Sequence, residues 1–210
     1  MKKLIRGILN FREVKRDSVA ETFHALALGQ KPDALLIACS DSRVAVNIFA
    51  SDDPGDLFVV RNVGNLVPPH DDPGNAGTAA AVDFAVDYLK VKDIIVCGHS
   101  DCGAMRAHWH GHQNLPPGPL RNWLEIGATC SVSGRDENEL SRCNVLEQLA
   151  HLASYPSVAR AMRERGLGLH GLWFDITNVD VLYYEASSQE WTVLDTENGT
   201  RIMAGLRAES

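Results

Sequence analysis

The chain lacks an excess of positive charge, a long apolar run and an even set of cysteines, and each absence excludes something. Lys plus Arg number 20 against 27 Asp plus Glu, a formal net charge of −7. That balance argues against a sequence-independent grip on phosphate backbones, so nucleic acid is not an expected partner. No segment approaches the run of about 20 apolar residues that crosses a bilayer, so no membrane is expected. The opening MKKLIRGILNFREVKR begins like a secretory leader, but Arg6, Arg12, Glu13 and Lys15 interrupt it before any apolar stretch of useful length. The expected location is the cytoplasm. Five cysteines, at 39, 97, 102, 130 and 143, are an odd number for a disulfide framework and fit reduced thiols or metal ligands better. Internal repeats and low-complexity tracts are missing too.

What is present suffices for one sizeable core: 210 residues, 45% of them hydrophobic. A single domain over 1–210 is expected. Within it, residues 1–30 form an N-terminal helical arm, because Leu4, Ile8, Phe11 and Val14, then Val19, Phe23, Leu26 and Ala27, recur at helical spacing among charges. ALLIAC (34–39), DLFVVRN (56–62) and DIIVCGH (93–99) read as buried parallel strands. VAVNIFAS (44–51) and GTAAAVDFAVDYLKV (77–91) between them read as helices. Strand, helix, strand, helix, strand predicts an α/β fold with a mainly parallel central sheet covered by helices on both faces. Beyond the Pro/Gly connection NLPPGPL, segments 120–130, 138–153 and 156–165 read as helices, and 169–177, 180–186 and 190–195 as C-terminal strands.

In an open α/β sheet, ligands gather outside the carboxyl ends of the strands. Cys39 closes the first strand, and CGHSDCG sets His99 and Cys102 just past the third. If those strands are neighbours, two thiols and an imidazole converge, a donor set suited to Zn²⁺ with a fourth position left for water. A buried thiol with a capping His would satisfy the H-x-x-C spacing equally well. Asp41, beside Cys39, could orient a metal-bound water, with Arg43 holding it ionised through a bidentate pair. A solvated ion pair, or Asp41 as a fourth metal ligand, are the alternatives.

CSDSRV combined with GHSDCG at this separation resembles the β-class carbonic anhydrases, especially the plant-like bacterial subtype. The likeness extends over GQKPDALLIACSDSRV, PGDLFVVRNVGNLVPP and AGTAAAVDFAVDYLKVKDIIVCGHSDCGAM, and more loosely over NWLEIG and YPSVARAMRERGLGLHGLWFDI. It implies one Zn²⁺ per chain on Cys39, His99 and Cys102, and a catalytic dyad of Asp41 and Arg43. The implied reaction is reversible hydration of CO2 to bicarbonate and a proton by attack of zinc-bound hydroxide. Gln30 matches a substrate-holding glutamine, Phe58 and Val63 match the lining of the CO2 pocket, and Gly103 falls where a backbone N–H can face bound anion. Phe84 stands where that subtype has a pocket tyrosine, which puts one hydrogen bond to substrate in doubt. The resemblance also implies self-association as a homodimer at least, with tetramers or octamers as further states, pocket residues drawn from both chains and the N-terminal helices as the clasp.

A second subtype of that family binds bicarbonate away from the metal through Trp, Arg and Tyr and moves its Asp onto zinc. Arg61 matches the arginine, but Leu36 and Phe174 fill the other positions, so that switch is expected to be absent. HWHGH places His108 and His112 at i, i+4 spacing, which reads as a solvated helix end because Gly111 and a polar loop follow. Cys97 reads as core, Cys130 and Cys143 as surface thiols. Rival functions are hydrolysis of a linear analogue such as carbonyl sulfide and a non-catalytic zinc or bicarbonate module. The zinc base deaminases are disfavoured, since neither H-x-E nor P-C-x-x-C occurs.

Overall fold

A computed structural model describes residues 1–51, 53–71, 76–127 and 136–208. Helix α1 (Lys2–Asn10) runs through a wider π-type turn (Phe11–Lys15) into α2 (Arg16–Leu26). Strands β1 (Ala34–Cys39), β2 (Leu57–Asn62) and β3 (Asp93–His99) follow, joined by α3 (Val46–Phe49) and by α4 (Ala76–Asp83) with its π-type continuation Phe84–Tyr88. Then come α5 (Gly103–Trp109), α6 (Pro119–Leu124), α7 (Glu137–Ala153) and α8 (Pro156–Arg165). Strands β4 (Gly168–Asp175), β5 (Asp180–Glu185) and β6 (Glu190–Val193) precede α9 (Thr196–Ala208). The six strands form one sheet in the order β2-β1-β3-β4-β5-β6. The first three pairings are parallel and the last two antiparallel. The α/β class with a mainly parallel sheet, an N-terminal helical arm and C-terminal strands is therefore observed.

Alternation along β1 and β3 sends Leu35, Ile37, Ile94 and Val96 to one face, where they pack with Val82, Val145, Leu152, Tyr155 and Val158 of the covering helices. On the opposite face Leu36, Ala38, Cys97 and Phe174 pack with Val44 and Val46. That second face is less fully covered than expected: a cavity of about 570 Å³ lies over Ala34, Ile95, His170 and Leu172. No side chain of α1, its π-type turn or α2 is buried, so Leu4, Ile8 and Phe11 stand 62%, 57% and 44% exposed.

Three helices differ from the sequence reading, and of the expected 44–51 only Val46–Phe49 is helical. The segment 120–130 is helical only over Pro119–Leu124, and its end from 128 onward lies outside the described residues. Helix α9 was not expected. Its start is set by Asp195, whose Oδ1 accepts the Asn198 N–H at 2.7 Å, and Arg201 pairs with Glu185 of β5.

Candidate metal centre

Parallel pairing of β1 with β3, Ala38 opposite Cys97, brings their carboxyl ends side by side. Cys39 is the last residue of β1 and His99 the last of β3. A turn through Asp101, at φ +53°, carries the chain to Cys102, which caps α5. The two Sγ atoms and a His99 ring nitrogen all lie within 4.8 Å of one another, and all three residues are buried. Among the described residues this is the one such grouping of three or more metal-ligating side chains.

The hydrogen bonds show which His99 nitrogen is available. Nδ1 lies 2.8 Å from the Ser100 carbonyl oxygen, which can only accept, so Nδ1 carries the proton and Nε2 keeps its lone pair. Nε2 is fully buried with no hydrogen-bond partner. A desolvated lone pair facing two sulfurs is costly in protein alone and is what a zinc ion would satisfy, so the donor set fits that metal. The sulfurs are prepared unequally. Donation from the Cys102 thiol holds the Cys39 pKa well below the usual thiol value, helped by the amides of Asp41 and Gly64. Sharing that proton, together with burial, pushes Cys102 up.

Gly64 donates its N–H to Cys39 Sγ at 3.4 Å. Only glycine suits this position: its φ is +83°, and a Cβ would stand 2.8 Å from Ala104 Cβ. Asn62 closes the turn, its amide bonding both the N–H and the carbonyl of Leu66 at 2.8 Å. On the lip of the centre, Arg43 Nε reaches Asp41 Oδ1 at 3.0 Å and Nη2 reaches Oδ2 at 2.8 Å, while Nη2 also donates to the Asp101 carbonyl. The Arg43 guanidinium keeps the Asp41 carboxyl well below the usual carboxylate range. Asp41 therefore stays an acceptor at neutral pH. Arg61, at the far end of β2, donates to the Cys39 carbonyl at 3.1 and 2.8 Å and to the Asp41 carbonyl at 2.8 Å. Its structural use was not visible in the sequence, because only the pairing of Arg61 with Ala38 brings it within reach.

The remaining candidates divide. Val63, 42% exposed, adjoins Gly64 at the centre, and its carbonyl accepts the Trp123 indole N–H. Gly103 opens α5, and a Cβ there would meet nothing within 4 Å, which leaves its backbone approachable. Phe58 and Phe84 touch, ring centroids 5.8 Å apart, and Phe84 stacks on Tyr88. Yet Phe58 pairs with Leu35, four residues before the Cys39–Asn62 pair. That is roughly 13 Å along the strands from the metal ligands. Gln30, ahead of β1, lies at that same far end.

The His108 and His112 rings lie 4.5 Å apart, tilted by 50°, and burial lowers the His108 pKa to about 4. His110 Nε2 lies 3.3 Å from Glu137. Cys97 is core, its thiol pushed up to about 12 by burial. Cys143 is disulfide-bonded, not the surface thiol expected. The reading of Cys130 lies outside the described residues.

A buried triangle of two thiols and an imidazole at adjacent strand ends, with a carboxylate and guanidinium beside it, defines a metal-dependent α/β enzyme. The chain belongs to the carbonic anhydrase family, in its β class, whose enzymes reversibly hydrate CO2. The carbonic anhydrase family model matches residues 34–181. A carbonic anhydrase of Pseudomonas aeruginosa is 37% identical over 98% of this chain and 97% of its own. Carbonic anhydrase 1 of Escherichia coli O157:H7 is 36% identical over 92% of each. Among solved structures, the β-carbonic anhydrase CcaA superposes with a TM-score of 0.81 at 34% identity, over 92% of this chain and 98% of that one. One of two tetrameric β-carbonic anhydrases from Sordaria macrospora gives 0.72 at 30%, over 87% and 95%.

Proposed function

We propose that CO2 hydration proceeds at Cys39, His99 and Cys102 with one Zn²⁺ per chain. The observation that carries this reading is the buried, unpartnered Nε2 of His99 beside two sulfurs. Zinc bound there supplies Lewis acidity that makes a nucleophile of water near neutral pH. Asp41, kept ionised by Arg43, accepts a hydrogen bond from the attacking oxygen and turns its lone pair towards carbon. Arg61 fixes the backbone that carries both Cys39 and Asp41. The Gly103 N–H faces the developing bicarbonate, and Val63 supplies an apolar wall.

Gln30, Phe58 and Phe84 serve the centre of a partner subunit, since the strand register holds them away from their own. The homodimer is then the smallest complete enzyme. The exposed apolar face Leu4, Ile8, Phe11 supports an arm that clasps the second copy. A tetramer, the state named for the Sordaria relatives, or an octamer, is compatible with that unit. Residues 1–210 act as one domain with 1–30 as its arm. We place it in the cytoplasm; among the described residues no helix is long and apolar enough to cross a membrane. Stopped-flow CO2 hydration by the zinc-loaded protein, with sedimentation to read its oligomeric state, tests this reading; a zinc-loaded dimer without hydration activity refutes it.

A further inference from the structure

Helix α7 carries polar side chains where its buried face should be apolar. Ser141, Asn144 and Gln148 are at most 1% exposed, and with Asn138 they occupy one side of the helix at spacings of three, three and four. Buried polar groups persist where each finds a partner. These partners are main-chain atoms of two turns at the metal centre, one carrying His99 and Cys102 and the other donating to Cys39. Asn138 Oδ1 accepts the Asp101 N–H at 2.9 Å, and Ser141 Oγ donates to the carbonyl of His99 at 2.8 Å. Asn144 Nδ2 donates to the carbonyl of Gly64 at 3.1 Å, and Gln148 Oε1 accepts the Val67 N–H at 2.8 Å. Gln148 Nε2 also donates to Asn144 Oδ1 at 2.9 Å, and Trp173 Nε1 donates to Ser141 Oγ at 3.1 Å, so the stripe is braced from both sides.

The two turns come from different crossovers of the sheet and have no covalent reason to keep a common spacing. One holds His99 and Cys102; the other presents the Gly64 N–H to Cys39. A single rigid helix bonded to both sets that spacing. We infer that Asn138, Ser141, Asn144 and Gln148 are positioning residues for the metal centre: one helix face fixes the distance between the His99–Cys102 turn and the turn that donates to Cys39. The inference rests on the reading that Cys39, His99 and Cys102 hold the metal. On it, zinc is retained because its three donors cannot drift apart, and the Cys39 sulfur keeps its backbone donor because Asn144 and Gln148 hold the 64–67 turn.

The test measures zinc release from the holoenzyme to a chromophoric chelator, and the thiolate-to-cobalt charge-transfer band of the cobalt form. The variants are Asn144→Leu, Ser141→Ala and, as a control for packing loss on the same helix, Leu149→Ala. We expect Asn144→Leu and Ser141→Ala to release zinc at least tenfold faster than wild type. Asn144→Leu should also shift the cobalt band. Leu149→Ala should stay within twofold of wild type at an equal or greater fall in Tm. Should Asn144→Leu fail to fold, Gln148→Met and Ser141→Ala carry the same comparison. Release rates within twofold of wild type, or rates that merely follow Tm as in Leu149→Ala, overturn the inference. Zinc content of the wild type and Cys102→Ala separates the two levels: a wild type that binds zinc independently of Cys102 overturns the metal assignment itself.

Discussion

Arg61 grips the carbonyl oxygen of Cys39 with two nitrogens, at 3.1 and 2.8 Å, from the neighbouring strand. A guanidinium placed this way fixes the backbone of a ligand whose side chain faces elsewhere. Removing it leaves the Cys39 and Asp41 carbonyls short of donors. Arg61→Met should lower stability by about 2 kcal/mol, a loss concentrated in hydrogen bonds from a charged donor. Denaturant unfolding of the metal-loaded protein reads this, with Arg61→Lys restoring only part of it because a single nitrogen on a flexible stem replaces the planar Nε and Nη2 pair.

Asp41 accepts two hydrogen bonds from the Arg43 guanidinium and one from its backbone N–H, and lies outside the sulfur and imidazole triangle. Asp41→Asn should keep one zinc per chain and lose about 100-fold in CO2 hydration, as the amide presents a donor where an acceptor is needed. Zinc analysis beside stopped-flow rates decides it. Full activity in the variant contradicts the orienting role.

Phe58 and Phe84 form one aromatic cluster at the end of the sheet away from their own metal ligands. Charging the arm with Leu4→Glu and Ile8→Glu should therefore give a monomer that binds zinc and turns over little CO2. Sedimentation velocity, zinc content and rate measured on one preparation check all three. Phe84→Tyr with the arm left unchanged should tighten inhibition by small anions about fivefold, the effect of one added hydrogen bond of about 1 kcal/mol.

The pH dependence of α9 has a defined sign. Arg201 and the Thr192 hydroxyl lower the Glu185 pKa to about 2 from its ordinary 4.5. A depressed carboxyl stabilises fully above its unfolded value and loses that contribution as pH falls through the folded one. Protection factors of the α9 amides, taken against the intrinsic exchange rate at each pH, should fall as pH drops from 4.5 to 2, and Glu185→Gln should flatten that profile at a lower starting protection.

Legibility in the sequence followed the physical origin of each feature. Strands β1 and β3 were readable to the residue, because buried parallel strands are short apolar runs with abrupt ends, and α8 was readable because Pro156 opens it. Helix α9 escaped, since its Arg201–Glu185 tie is visible only once β5 is in place. Strand ends brought Cys39, His99 and Cys102 together as candidates, but a buried thiol with a capping His fits the same spacing, and the family resemblance was needed to choose between them. The stripe on α7 was not legible, because Asn138, Ser141, Asn144 and Gln148 look like a solvated face until their backbone partners are known. The distance of Phe58 from the centre is a matter of register, which no single segment encodes.

Two thiolates neutralise more of a zinc ion's charge than imidazoles do, so the hydration rate should climb from pH 6 to pH 9. A flat profile over that range counts against the donor set.

CO2 hydration should depend on zinc held by Cys39, His99 and Cys102. The most direct measurement titrates chelator-stripped protein with zinc while following the stopped-flow hydration rate. Without zinc the rate should stay near the uncatalysed background, and with added zinc it should rise linearly to a plateau at one zinc per chain. Hydration that persists in the stripped protein, or a protein saturated with zinc that does not hydrate CO2, would contradict it.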